Sequence, residues 1–350
     1  MENRHKNTLD QAVYRRQNAK KYRIIILLLA ICLIVGVLDI LTAASSPEYS
    51  LTTQEVLRSL LDPGQASPAA YVIEMKMRLP ISLMALVVGF SLGTAGAVMQ
   101  TILHNPLASP YTLGVGTAAG FGASLAIVLG LGSVATSAFA FAFAMLICLM
   151  IYLLGRKNVS SESLVLSGIA CLFLFQALQA LLQYGASETQ NQSIVFWSFG
   201  SLQRVSWAKL LITTVVVTAS IPLIFLDSWK YTALTMGDER AVSLGVNVAR
   251  LKIKAFFLIS LIVAVSVCFT GSIGFIGLAG PHIARMLAGE DQRFYFPVSA
   301  LCGACILSLA SVLSKLIQPG SVFPVGIVTS MIGVPFFFSF VFRMNRGRQH

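Results

Sequence analysis

Charge is what this sequence has least of. Lys, Arg, Asp and Glu together make up 11% of its 350 residues, against about a quarter in soluble chains, while 56% are hydrophobic and the mean hydropathy is +0.79. This excludes an ordinary soluble domain and predicts an all-α polytopic membrane protein. There is no GxxxxGK[ST] phosphate loop, so the chain does not itself hydrolyse ATP in the P-loop manner. No CxxC pair lies in a polar loop. Cys32, Cys148, Cys171, Cys268, Cys302 and Cys305 all fall in apolar runs and read as small buried hydrophobes, not a metal or disulfide framework. No Asp, Glu, Lys or Arg lies deep in any apolar run, with Asp39 and Asp227 at the margins, which counts against a proton- or ion-coupled carrier. With four histidines, His5 and His350 among them in the tails, there is no catalytic constellation, and neither an enzyme nor a cofactor is expected.

What is present is a series of ten apolar stretches, at 24–42, 81–102, 113–131, 134–154, 164–184, 210–226, 255–270, a short broken one at 273–288, then 296–313 and 322–342. Most reach the ~20 residues that cross a hydrocarbon core. They divide the chain into a basic tail at 1–23, a single membrane domain at 24–342 and a second tail at 343–350. The first apolar run is longer than a signal h-region and has no small-residue cleavage site, so it is expected to be retained. With both termini in the cytoplasm, 19 of the 25 Lys and Arg fall on the inner side, as the positive-inside bias requires. The same asymmetry accounts for the formal charge of +11 without a nucleic-acid partner.

Two interruptions stand out. In "MQTILHNPLASPYTLGVGTAAGFG", Asn105 and Pro106 end a helix, because proline lacks the donor and disfavours an α conformation in the residue before it. In "SIGFIGLAGPHIARMLAG", Pro281 is expected to break the eighth span, with His282 bonding freed backbone groups; a lone histidine without further donors makes a poor metal site. The longest inner connection, 229–254, reads as a short helix with Thr235 and Asp238 forming a capping box and Gly245 as its stop, followed by a second helix from Asn247. It suits either a solvated connector or a surface docked by a partner. Gln176, Gln179 and Gln183 share one face of the fifth span, where interhelical hydrogen bonding is the more frequent use and a pathway lining the alternative.

Four blocks resemble one family. The run from "RLPISLMALVVGFSLGTAGAVMQ" through "NPLASPYTLGVGTAAG", then "MGDERAVSLGV", "GSIGFIGLAGPHIARMLAGEDQR" and "FPVGIVTSMIGVPFFF" are similar, in order, to the signature of the FecCD permeases. These are subunits of ABC importers for iron-siderophores, haem and cobalamin. The resemblance implies ten helices in a type II importer fold, with helices 2–5 and 7–10 as an inverted repeat, in a dimer with an identical or homologous permease in the bacterial cytoplasmic (inner) membrane. It implies two ATP-binding subunits at a coupling segment, 229–250, with Met236, Gly237, Asp238, Glu239, Arg240, Leu244 and Gly245 in the matching block. Ser160 and Ser161 match the inner gate, though helix capping before Leu164 accounts for them equally well. Arg78 and Lys315 match cations that receive an extracytoplasmic substrate-binding protein, with Lys315 where arginine is usual; Ile81 and Ser311 depart from the pattern. The cargo implied is an iron(III)-siderophore complex, with haem or cobalamin as alternatives. A secondary carrier for a hydrophobic solute is the rival from another class.

Overall fold

Helix ends in this chain are written in its capping residues, and the computed structural model, which describes residues 2–42, 52–62, 64–155, 161–317 and 323–347, places them accordingly. Thr52 and Glu55 form a capping box, as do Ser187 and Gln190, and the Asn247 side chain accepts from the amide of Arg250. The helices are α1 (Glu2–Leu41), α2 (Thr53–Leu61), α3 (Pro68–Tyr71), α4 (Leu79–Ile102), α5 (Val115–Val128), α6 (Gly132–Gly155) and α7 (Ser161–Gly185). They continue with α8 (Glu188–Ser198), α9 (Trp207–Phe225), α10 (Ser228–Leu234), α11 (Asp238–Ser243), α12 (Val248–Thr270), α13 (Ile276–Ala288), α14 (Gln292–Ile317) and α15 (Val325–Gly347). A π-helical stretch, Val72–Arg78, joins α3 to α4. No strand occurs among the described residues.

Among the described residues, seven helices are long and apolar enough to cross a membrane: most of α1, the continuous Pro68–Ile102, α6, α7, α9, α12 and α14. The other three expected crossings correspond to α5, α13 and α15, which are shorter or only partly apolar, so length and composition alone do not establish the count of ten. Three helices make the centre. In their most apolar windows α4, α12 and α14 are 72%, 72% and 67% buried, whereas α1 and α7 reach only 17%.

Small residues let that centre close. A Cβ on Gly89 would sit 2.5 Å from the carbonyl oxygen of Gly303, and one on Gly303 would sit 2.3 Å from that of Gly89, so α4 and α14 touch backbone to backbone. The α4–α12 contact is polar, with the Ser91 and Ser266 hydroxyls 2.8 Å apart.

The first interruption forms as its residues dictate. Helix α4 stops at Ile102, His104 takes a left-handed conformation (φ 48°), the amide of Asn105 donates back to Gln100, and the Asn105 side chain accepts from the amide of Leu107. The second corrects the expectation for Pro281. Pro281 lies inside α13 without ending it, and the break comes earlier, at residues 271–275, where Gly271 and Phe275 have positive φ. Proline removes only the bond to the carbonyl four residues back, Gly277, which faces the Cβ-less side of Gly96: a Cβ on Gly96 would lie 2.0 Å from that oxygen. The helix therefore tolerates the proline by lying against glycine. A second correction concerns Thr235, whose hydroxyl donates to the carbonyl of Thr232 and leaves Gly237 as the uncapped N-terminus of α11. Gly245 does end that helix, at φ 82°.

Candidate functional site

The residues expected to meet a partner lie on a basic loop face built by α10, α11 and the start of α12. Asp227, between α9 and α10, is nearly buried and receives Lys230 Nζ at 2.6 Å and Lys254 Nζ at 2.7 Å. Burial alone would raise its carboxyl, but the two ammonium groups outweigh that and hold it below the usual carboxylate range. The junction between the transmembrane bundle and the α10–α11 hairpin is thus clamped by charge. Asp238 adds a second clamp, accepting from Lys252 at 2.7 Å and lying 3.9 Å from His104 Nε2. His104 in turn donates to the carbonyl of Leu234 at 2.8 Å. The first interruption therefore holds α10 and α11 directly, a contact between residues 130 apart in sequence that no local signal announces.

What α11 presents outward is a mixed surface. Ala241 and Val246 are buried beneath it, while Met236, Glu239, Arg240, Val242 and Leu244 are exposed. Apolar residues and flexible methionine interleaved with charge are the composition of a protein-binding patch. Of the residues expected to couple, Asp238 is engaged within the chain, whereas Glu239 and Arg240 are exposed.

Behind this hairpin a polar network ties the end of α4 to the C-terminal end of α13 and the start of α14. Tyr295 Oη donates to Gln100 Oε1 at 3.0 Å, Arg285 approaches both, Thr101 donates to Gln292 at 3.1 Å, and the amide of Gln292 donates to Thr232 on α10 at 3.0 Å. Helices α4, α10, α13 and α14 thus meet in one hydrogen-bonded cluster. On the same face Asp291 pairs with Arg293 at 2.7 Å and lies 4.0 Å from Lys21; these cations overcome burial and hold its carboxyl below the usual range.

At the opposite ends of α1, α4 and α14 the structure brings Arg78 and Lys315 to the wall of one cavity of about 470 Å³, along with Lys76, Gln203 and Ser314. Both are engaged within the chain. Lys315 is 7% exposed and donates to Asp39 through its carboxylate, at 3.0 Å, and its carbonyl, at 2.6 Å; Arg78 lies 3.5 Å from Glu74. Asp39 and Glu74 are themselves wholly buried. The sequence places Asp39 at the margin of a span but gives no sign that it meets Lys315 beside the Glu74–Arg78 pair. Glu74 lies in the π-helical stretch, ahead of the hydrophobic run that marked the second span.

Gln179 is an interhelical residue, donating to Ser198 of α8 at 2.8 Å; Gln176 is exposed and Gln183 half-buried. His282 is half-buried one residue after Pro281. Ser160 lies outside the described residues, and Ser161 is the first residue of α7. The six cysteines are free thiols. No group of three or more His, Cys, Asp or Glu side chains stands together as a metal site among the described residues.

The chain is similar to known proteins. The model of the FecCD transport family matches residues 26–343. The hemin transport system permease protein HmuU of Yersinia pestis is 32% identical over 329 residues, covering 92% of this chain and 97% of that protein. The Fe(3+)-citrate import system permease protein YfmE of Bacillus subtilis is 32% identical over 326 residues, covering 92% and 96%. Among solved structures, an inward-facing conformation of a metal-chelate type ABC transporter superposes with a TM-score of 0.80 at 31% identity, covering 92% of this chain and 99% of that one.

Proposed function

This chain belongs to the FecCD transport family, and on that premise we propose that it carries an iron(III)-siderophore complex across the bacterial cytoplasmic membrane by ATP-driven alternating access. It is a membrane permease subunit of an ABC importer and not itself an enzyme; ATP-binding subunits and a second permease complete the assembly. Membership of this family removes the secondary-carrier alternative.

The observation that carries the mechanism is the double clamp on α10 and α11. A docked ATPase that pushes on Met236, Glu239, Arg240 and Leu244 acts on a hairpin held by His104, Lys252 and the Asp227 ion pairs. Its displacement passes into α4, α13 and α14 through Gln100, Tyr295 and Gln292 instead of being lost in a flexible loop. The first interruption and the C-terminal end of α13 then move as one unit. In this reading the chain makes ten crossings with both termini cytoplasmic, and helices 2–5 and 7–10 form an inverted repeat around the path. The membrane domain is 24–342, flanked by tails 1–23 and 343–350, with coupling segment 229–250. The exposed apolar side of α7, with Phe173, Leu181 and Tyr184, faces the second permease and the path, and Gln176 and Gln183 add non-ionic contacts there. Ser160 and Ser161 form the inner gate. Arg78 and Lys315 receive the acidic residues of a substrate-binding protein, which must then compete with Asp39 for Lys315.

The iron-citrate relative supports an iron chelate, and the hemin relative makes haem the second reading; cobalamin is a third. The test is reconstitution of the permease with its ATPase and binding protein in vesicles. Uptake of a radiolabelled ferric siderophore that depends on ATP, and is lost in the Glu239→Arg/Arg240→Glu variant while permease abundance is unchanged, is the expected result. Uptake of haem in place of the siderophore moves the cargo, and ATP-independent uptake overturns the mechanism.

A further inference from the structure

Among the described residues, two cations at the far loop face have no acidic partner. Arg204, in the segment between α8 and α9, donates to the carbonyl of Trp197 at 3.3 Å and lies 5.6 Å from the centre of the Trp197 ring. Lys209, in the first turn of α9, donates to the carbonyl of Arg204 at 2.7 Å and lies 6.0 Å from the Phe269 ring. Among the described residues neither meets a carboxylate. This sets them apart from the half-buried Lys230, Lys252 and Lys254 and the buried Lys315, each matched by Asp. Two like charges held close together and partly out of water repel each other and lose solvation, a cost that a bound anion removes.

The two line a cavity of about 670 Å³ between α6, α8, α9 and the end of α12, whose polar wall includes Thr136, Ser137, Gln192 and Ser193. Cations and neutral donors together, without carboxylates, make a wall that favours an anion. The cavity holds no residue of α7, α13 or α15, so it lies away from the exposed α7 face. Its surroundings are those of a membrane interface. Phe196 of its wall is exposed, as is Trp207 in the first turn of α9, and below Lys209 the same face of α9 runs on through Ile212 and Val216 to Ala219, with Ile212 half exposed. Charge at the end of a spanning helix, above an exposed apolar strip, matches a phosphate joined to an acyl chain.

We propose that this cavity binds the headgroup of an anionic phospholipid, with Arg204 and Lys209 taking the phosphodiester, the hydroxyl and amide side chains taking the polar headgroup, and the apolar strip of α9 taking an acyl chain. The site shares no lining residue with the coupling surface or with the Arg78–Lys315 cavity, which it adjoins through the segment 202–205, and it stands whichever face is cytoplasmic. Burial lowers the Arg204 guanidinium to about 10, which leaves it charged at neutral pH. A lipid seated here ties α6, α8 and α9 together at the mouth of the bundle.

The test is native mass spectrometry of the full transporter from nanodiscs of mixed phosphatidylglycerol and phosphatidylcholine. The wild type is expected to retain phosphatidylglycerol selectively, and Arg204→Gln/Lys209→Gln to lose that retention by about tenfold or more, the factor carried by one lost charge-assisted hydrogen bond. Lys209→Arg is expected to retain it. A second measurement needs no variant: the wild type should melt higher in phosphatidylglycerol nanodiscs than in phosphatidylcholine alone. Equal retention of both lipids, retention unchanged in the double variant, or no melting difference overturns the proposal. Displacement of the lipid by millimolar inorganic phosphate or citrate overturns the lipid assignment and makes the cavity a site for a soluble anion.

Discussion

The imidazole of His104 donates to the carbonyl of Leu234 at 2.8 Å, joining the end of the second span to the helix that precedes the exposed α11. His104 holds a left-handed conformation to do so, at a cost of roughly 1 kcal/mol for a residue with a Cβ. His104→Gly relieves that strain but loses the bond; His104→Ala loses the bond and keeps the strain. Both variants are expected to reduce the ratio of uptake to ATP hydrolysis, with His104→Gly melting at the higher temperature of the two. Unchanged coupling in both would show that the contact transmits nothing.

The Asp39–Lys315 pair predicts an asymmetric mutational response. Asp39→Asn leaves a buried ammonium without its counter-charge and is expected to destabilise the permease by about 3–5 kcal/mol, whereas replacing both residues by apolar ones of similar size costs far less. Melting of Asp39→Asn, Lys315→Met and Asp39→Leu/Lys315→Met in detergent checks this, and simple additivity of the single effects would count against it.

Backbone contact between α4 and its neighbours predicts intolerance at three glycines. Gly89→Ala, Gly96→Ala and Gly303→Ala each place a methyl within 2.5 Å of a backbone carbonyl and force the helices apart. A loss of about 1–3 kcal/mol or more is expected, the range for overpacking. Gly130→Ala is the control for backbone strain alone, since it has positive φ but nothing within 4 Å.

The clamp at Asp227 predicts a particular pH dependence. Its folded pKa is depressed, so the stability it contributes is fully present above the ordinary carboxylate value of about 3.9 and is lost as pH falls through the lower folded value. The melting difference between wild type and Asp227→Asn should stay constant from neutral pH down to about 5 and shrink only below the carboxylate range. A difference that already collapses between about pH 7 and pH 6 would assign the clamp to another group.

Much of this molecule is legible in order along the chain. The apolar runs, the Asn105–Pro106 stop, Gly245 and the Asn247 cap are local signals, each satisfied by atoms within a few residues, and the structure follows them. Pro281 misled because its effect depends on a glycine nearly two hundred positions away, and Thr235 because its hydroxyl found a closer acceptor in Thr232. Within the segment 236–245 the sequence could not separate Asp238, held by Lys252, from Glu239 and Arg240, which are exposed.

The sequence by itself determined that this is a helical membrane protein of the FecCD kind, because hydropathy and short motifs act through the local backbone and its solvent. Only the tertiary structure decided which charges are matched. Asp39 meets Lys315, Asp227 meets Lys254, and among the described residues Arg204 and Lys209 meet no acid, because an ion pair depends on distance in space between helix ends that sequence spacing does not encode.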